Sequence, residues 1–255
     1  MDVIVCLKAV PDLKQIRIKR ETREPVLEGV PLVWGDMDKN ALEEAVRLRE
    51  RHGGKVTALA LGGTRLKEAM IEALAMGADE GVLLVDPLFQ TYDTAGVAKA
   101  LAAAALRLPR FDLILVAEGS SDSYSGQVGP RVAEMLGLPQ VTYAREVSVE
   151  GSVLRAVRSL EGAFEVVECT LPAVVSVTQE INTPRLPALT AILRASRKPQ
   201  QAWSAADLGL ADTPVLVERL RNQAPEQERR NILFEGDEAE DRLVAALLKD
   251  GAVSG

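Results

Sequence analysis

Lys55-Val56-Thr57-Ala58-Leu59-Ala60-Leu61-Gly62-Gly63-Thr64-Arg65-Leu66-Lys67-Glu68-Ala69-Met70 holds the repeating unit of the fold. Residues 55–61 are an apolar run of strand length, Gly62-Gly63-Thr64 breaks it, and residues 65–76 continue at helical spacing. The same unit recurs in both directions. Upstream, residues 3–10 form a β-branched run ended by Pro11-Asp12, and Ala41, Leu42, Ala45, Val46 and Leu48 mark a helix stopped by Gly53-Gly54. A further extended segment is expected at residues 15–19. Downstream come a strand at 81–85, a helix at 94–106, a strand at 113–117 and a helix from about 126 to 136. Strands alternating with helices at short spacing specify an α/β fold, a doubly wound parallel sheet covered on both faces.

After this the pattern changes. Residues 147–149, 153–157, 163–169 and 173–178 read as short extended segments, with Glu150-Gly151 and Glu161-Gly162 as turns, so β-hairpins appended to the α/β layer are expected. Beyond Asn182 the chain is Pro-rich and irregular, and residues 222–230 read as a polar linker. It leads to a last helix at 237–249 with Leu243, Val244, Leu247 and Leu248 on one side. That helix is either an arm for another domain or subunit, or one that folds back on its own core.

Composition narrows the function. The chain has 255 residues, enough for one large domain or two small ones. Its single His52 and its two distant cysteines, Cys6 and Cys169, cannot assemble a His/Cys zinc site or an iron–sulfur cluster. No metal site is expected. A net charge of -7 argues against a nucleic-acid-wrapping surface. No run of about 18 apolar residues is present, so no membrane insertion is expected. The N-terminus reads as a buried strand and not as a signal peptide, and two unpaired cysteines suit a cytoplasmic location.

In doubly wound folds ligands lie beyond the carboxyl ends of the strands. The loop after residue 117, Glu118-Gly119-Ser120-Ser121-Asp122-Ser123-Tyr124-Ser125-Gly126-Gln127-Val128-Gly129-Pro130, is the informative one. Gly126 admits close approach, Ser123 and Ser125 offer hydroxyls, and the N–H groups of the following helix point to the same place, which suits phosphate. Asp122 can take ribose hydroxyls or cap the helix. Leu61 and Gly62 can frame an adenine ring, and Ala9 is small enough for close approach; tight strand-to-helix packing explains them equally. Neither the Rossmann nor the Walker glycine pattern is present, and a flexible surface turn is the plain alternative. No catalytic constellation emerges. His52 reads as a solvated cation at a helix end, Cys6 as a buried apolar group, and Asp36 and Asp38 as first-turn acids favoured by the helix dipole.

In order and spacing the segments Val5-Cys6-Leu7-Lys8-Ala9-Val10-Pro11-Asp12, Asn40-Ala41-Leu42-Glu43-Glu44-Ala45, Glu72-Ala73-Leu74-Ala75-Met76-Gly77-Ala78-Asp79, residues 122–130, Leu171-Pro172-Ala173 and Asn182-Thr183-Pro184-Arg185 resemble the electron-transfer flavoprotein beta (small) subunits, over nearly the whole chain. The resemblance implies an adenine-nucleotide-binding α/β domain and a heterodimer with an alpha subunit that carries the redox-active FAD. It implies AMP, or a second FAD, in this subunit, at Ala9, Leu61, Gly62, Asp122, Ser125, Gly126, Gln127 and Val128, to which the reading of the loop adds Ser123. It further implies a docking loop in which Leu189, with Arg185 and Arg194, meets an acyl-CoA or other dehydrogenase or a quinone oxidoreductase. An exposed leucine beside basic residues suits a transient, electrostatically steered interface. The chain departs from the family pattern at Gly35-Asp36, where relatives commonly have Asn-Pro, at Leu13, where many have tyrosine, and at Tyr124 and Ser125. Three regions follow: 1–185, the α/β domain with its hairpins; 186–200, the recognition loop and basic run; 201–255, a linker and helical arm packing on the partner. Two other classes remain: a nucleotide-dependent enzyme on a similar module, for which no acid/base group stands out, and a nucleotide sensor resembling universal stress proteins.

Overall fold

A computed structural model of the chain describes residues 1–214, 217, 220–226 and 231–253. Its elements run β1 (Val3–Leu7), β2 (Ala9–Pro11), β3 (Arg17–Ile18), β4 (Pro25–Val26), β5 (Leu32–Trp34), α1 (Asp36–His52), β6 (Val56–Gly62), α2 (Leu66–Met76), β7 (Glu80–Val85), α3 (Thr94–Arg107), β8 (Leu113–Ala117) and α4 (Val128–Leu136). They continue with β9 (Gln140–Glu150), β10 (Val153–Leu160), β11 (Ala163–Thr170), β12 (Ala173–Val177), α5 (Leu189–Ala195), β13 (Gln200–Trp203) and α6 (Ala239–Lys249).

The main sheet has nine strands in the order β11-β10-β9-β12-β8-β1-β6-β7-β13. From β9 to β13 every neighbouring pair is parallel, and β10 and β11 extend the sheet antiparallel. Successive side chains of a strand face opposite ways, so β1 feeds two cores. Val3, Val5 and Leu7 meet Leu42 and Val46 of α1 and Met70 and Leu74 of α2 on one face. Ile4 and Cys6 meet Ala98, Leu101 and Ala105 of α3 and Val132 of α4 on the other. Each fully buried aliphatic side chain contributes roughly 1.5–3 kcal/mol, and together these two layers hold the sheet. Trp34, at the end of β5, is buried against the first core, and its indole N–H donates to the Ala69 carbonyl at 2.8 Å.

The α/β expectation holds, and the structure changes details within it. The run at residues 3–10 is not one strand. β1 ends at Leu7 because the Lys8 N–H leaves the ladder for Asp38 Oδ1 at 2.8 Å, and β2 pairs antiparallel with β5 in a separate ribbon. The extended segment expected at 15–19 is reduced to Arg17–Ile18, which pairs with β4. The hairpins are appended to the α/β layer as expected, and they join its sheet directly: β9 is the parallel neighbour of β12, so β10 and β11 prolong the same sheet. Residues 189–195, expected to be irregular, form α5, whose Ala195 is buried in the first core. Gln200, the last residue of the expected recognition loop, and residues 201–203 of the expected arm add the edge strand β13 to β7, and Trp203 is buried under the Arg107 guanidinium at 5.1 Å.

Residues 1–17 and 26–222 make up one unit and residues 18–25 and 223–255 a second. Within the second, the Gln223 amide donates to the Thr22 carbonyl at 2.9 Å, the Ala224 N–H donates to the Arg23 carbonyl at 2.8 Å, and Arg23 pairs with Glu226. α6 leaves Leu243, Val244 and Leu248 about half exposed. Residues 227–230 of the expected linker lie outside the described residues. Among the described residues no helix is long and apolar enough to cross a membrane.

Candidate functional site

From β1 the chain steps to β6 and β7 on one side and then returns to β8 on the other. The strand order therefore reverses between β1 and β8, and in an open α/β sheet the crevice beyond their carboxyl ends is where ligands bind. Three segments meet there: residues 8–9 after β1, residues 35–38 at the start of α1, and residues 118–127 after β8.

Lys8 joins two of them. Its ammonium contacts Asp122 Oδ1 at 2.6 Å and Oδ2 at 2.8 Å, Ser120 Oγ at 3.2 Å and Ser123 Oγ at 3.5 Å. Partial burial works against the charge on Asp122, but hydrogen bonds from Lys8 and Ser120 outweigh it and hold this carboxyl below the ordinary range. The third segment supplies Asp38, which is only 3% exposed. Burial pushes its carboxyl up to about 7, against the opposing pull of the Lys8 backbone N–H and ammonium. The Cys6 thiol beneath it is raised to about 12, by burial first and by Asp38 second. Asp38 Oδ1 is satisfied by Lys8, whereas Oδ2 is buried with no hydrogen-bond partner. A Cβ on Gly35 would lie 2.5 Å from that oxygen and 3.3 Å from Ser121 Oγ, so glycine is required to leave the carboxyl its space.

The α4 end completes the crevice. Gly126 turns at φ +65°, a conformation that disfavours any side chain, and a Cβ there would lie 3.7 Å from the Tyr143 hydroxyl. No side chain caps α4. Pro130 has no N–H, so Val128 and Gly129 carry free donors of the first turn, which suit an anion. The side-chain Oε1 of Gln127 accepts from Thr94 Oγ1 at 3.1 Å and from the Arg131 guanidinium at 3.0 Å, which ties the loop to the start of α3. Tyr124, at φ +43°, donates its hydroxyl to Glu118, and that bond raises its own pKa to about 12. Ser123 and Ser125 lie in the same loop, at its exposed side. Leu61 and Gly62 end β6, next to β1, and a Cβ on Gly62 would press on Leu66 at 3.1 Å, so this glycine serves strand-to-helix packing as well. Ala9 is half-buried in β2, opposite Trp34. A buried carboxyl with a spare oxygen, an uncapped helix start and a left-handed glycine lie together beyond β1 and β8, and this set can offer hydrogen bonds and an anion-attracting helix start to a ligand.

The three residues expected to dock a partner divide. Leu189 is 72% exposed at the first position of α5, and Arg194 is exposed at its last turn. Arg185 is occupied inside the chain: its guanidinium holds Glu43 at 2.7 and 3.1 Å and Glu50 at 2.6 and 3.0 Å. Lys198, from the basic run, donates to the carbonyls of Leu74 and Ala78 at the end of α2, at 2.8 and 2.6 Å. Asn40 and Asn182 exchange hydrogen bonds beside Arg185, and the segment leading to Leu189 is thereby strapped to α1.

Sequence reasoning passed over Lys8 and Tyr143 and set Asp38 aside as a first-turn acid. One signal for Asp38 was present: it precedes Ala41, Leu42 and Ala45 by three, four and seven positions, which puts it on the buried stripe of α1. Lys8 and Tyr143 owe their places to a strand ending and a left-handed residue, which no pattern marks.

The comparisons with known proteins follow this geometry. The family described as "Electron transfer flavoprotein domain" matches residues 28–208. A protein of Thermoanaerobacterium thermosaccharolyticum named electron transfer flavoprotein subunit beta is 40% identical over 97% of this chain and 98% of its own length. The chain belongs to the electron transfer flavoprotein beta-subunit family. A second beta subunit, from Clostridium acetobutylicum, is 39% identical over 86% of this chain and 87% of its own, and Protein FixA of Azorhizobium caulinodans is 32% identical over 98% and 94%. The electron transfer flavoprotein match spans α1, the loop after β8, α4 and the strapped segment with Leu189, so most of the candidate site lies inside the family's shared region.

Proposed function

We propose that this chain is the small subunit of a heterodimeric electron-transfer flavoprotein, holding an adenine nucleotide, AMP or a second FAD, in the crevice between β1 and β8. It passes electrons from acyl-CoA or other dehydrogenases toward a quinone oxidoreductase or another acceptor, in the cytoplasm, with an alpha subunit as its partner. Membership of the beta-subunit family supports the electron-transfer role, the flavin setting and the alpha partner. The observation that carries the nucleotide site is the convergence of Lys8, Asp38 and the Asp122 loop at the reversal of strand order. A bound flavin supplies the redox chemistry, and the chain supplies position and surroundings. Lys8 and Asp122 fix the loop, Gly126 and the first turn of α4 receive phosphate, and α5 offers Leu189 to the dehydrogenase. α6, with its apolar residues half exposed, serves as the arm against the alpha subunit.

Co-expression with the alpha subunit tests this reading. The expected product is a yellow heterodimer that releases either FAD with AMP or FAD alone in about twice the amount. A colourless chain that forms no heterodimer and releases no nucleotide would overturn it. Leu189→Ala is expected to slow electron transfer from a dehydrogenase several-fold at limiting concentration, with flavin content and thermal stability unchanged. Unaltered transfer would remove Leu189 from docking.

A further inference from the structure

Asp38 is a costly residue to keep in a ligand-free fold. A buried polar atom without a partner is unfavourable by about 1–3 kcal/mol, and Oδ2 is such an atom. The surroundings preserve it nonetheless. Gly35 leaves it space that any Cβ would fill, and the Lys8 N–H fixes Oδ1, so that the carboxyl cannot turn away. The groups that face it are few. From β1 come the thiol of Cys6 and, just after its end, Lys8; from the loop after β8 come Asp122 and the hydroxyl of Ser121. The Lys8 ammonium is already matched by Asp122 at 2.6 Å. That pair is neutral as a whole, so an ionised Asp38 would stand as an unmatched negative charge in a crevice whose other features attract an anion.

We propose that Asp38 binds the adenine nucleotide as a neutral acid, donating the proton on Oδ2 to it, so that nucleotide binding takes up a proton. The proposal rests on the nucleotide reading above and specifies how that site recognises its ligand. A carboxylate can only accept hydrogen bonds, whereas a carboxylic acid can donate one to a ring nitrogen, a ribose oxygen or a phosphate oxygen. It also removes the charge that would repel the phosphate. No bond other than the O–H hydrogen bond is made, and the proton comes from solvent. Because the carboxyl of the free crevice titrates near neutrality, binding draws the remaining protons from solvent and strengthens as the pH falls. The same chemistry serves AMP and the adenosine diphosphate half of FAD.

The test is calorimetric. The alpha–beta complex, depleted of the nucleotide in this subunit, is titrated with AMP in one arm and FAD in the other, in buffers of different ionisation enthalpy. For whichever nucleotide binds, Asp38 is expected to take up about half a proton per site at pH 7, rising toward about one by pH 8, with affinity falling up to about tenfold per pH unit above pH 7. Asp38→Asn, which keeps the shape and carries its own donor, is expected to bind with a flat profile between about pH 7 and 8.5 and to take up none of the Asp38 proton. AMP has a phosphate proton of its own, but that contribution is common to both proteins and cancels in their difference. Equal proton uptake by the two proteins would overturn the proposal while leaving nucleotide binding intact. If neither AMP nor FAD binds the unsubstituted complex, the nucleotide reading itself falls, and this inference with it. Should the variant not fold, the Asp38 carboxyl of the unsubstituted protein is followed by carbon-13 NMR. It is expected to stay protonated to a higher pH with AMP or FAD bound than without, and a carboxyl ionised throughout the neutral range would overturn the proposal.

Discussion

Asp36 and Asp38 are two residues apart in sequence and about 200° apart around α1. The first is exposed and the second is sealed between β1 and the loop after β8. The rule that acids favour the first turn of a helix is true of both and explains only Asp36. For Asp38 the deciding fact is desolvation, which raises its pKa from 3.8 to about 7. In the folded chain it holds a proton that the unfolded chain has released, so stability from this group is fully present below about pH 4 and is lost as the pH rises toward about 7. The upper bound is on the order of 4 kcal/mol, at about 1.4 kcal/mol per unit. Urea unfolding at pH 5 and pH 8 is therefore expected to show a smaller loss of stability at the higher pH in Asp38→Asn than in the parent chain. Equal losses would mean that Asp38 is ionised in the fold. Single positions such as Ser123, Ser125 and Gly126 were legible as members of the candidate loop because small residues between a strand and a helix have a mechanism attached. Lys8 was not, because a side chain at the end of a strand takes its direction from a partner more than 110 residues away.

Between the residue and the whole lie the straps. Arg185 lies in the sequence where a docking cation is expected, and the fold turns it inward to Glu43 and Glu50. Burial alone would raise Glu43, but the hydrogen bonds from Arg185 and Arg47 outweigh it and hold this carboxyl below its ordinary value. Arg185→Met leaves the buried Glu43 with the Arg47 guanidinium and the backbone N–H of residue 185, and removal of one partner from a buried pair destabilises by about 3–5 kcal/mol. With Arg47 retained, about 2 kcal/mol is expected in chemical denaturation. The stability that Glu43 contributes is present above its unfolded pKa and is lost as the pH falls through its depressed folded value, and this acid sensitivity should be smaller in the variant. The elements around the strap show what a sequence conveys. α1, β6, α2 and β8 follow from period and length. α5 has only seven residues among prolines, and Gln200-Gln201-Ala202-Trp203 has little strand preference of its own. Both exist because tertiary partners, α2 and β7, receive them.

At the scale of the molecule, the alternation of strands and helices fixed a doubly wound sheet, but not the insertion of β12 between β8 and β9, which depends on pairings across distant sequence. Among the described residues, none beyond Leu210 belongs to the two hydrophobic cores. A chain ending at Asn222 is accordingly expected to keep the circular dichroism and cooperative unfolding of the whole, and to lose its affinity for the alpha subunit if α6 is the arm. Full retention of that affinity would place the interface elsewhere. The burial of β1 and β12 on both faces has a consequence for tolerance to change. All five positions of each strand are buried, whereas β10 buries Leu154 and Ala156 and exposes Val153 and Arg155 between and beside them. In a library that replaces every position in turn with a charged residue, β1 and β12 should appear as unbroken blocks of lost variants. The first half of β10, residues 153–156, should appear as a comb, with survivors at every second position, so that survival alone would tell the centre of this sheet from its margin.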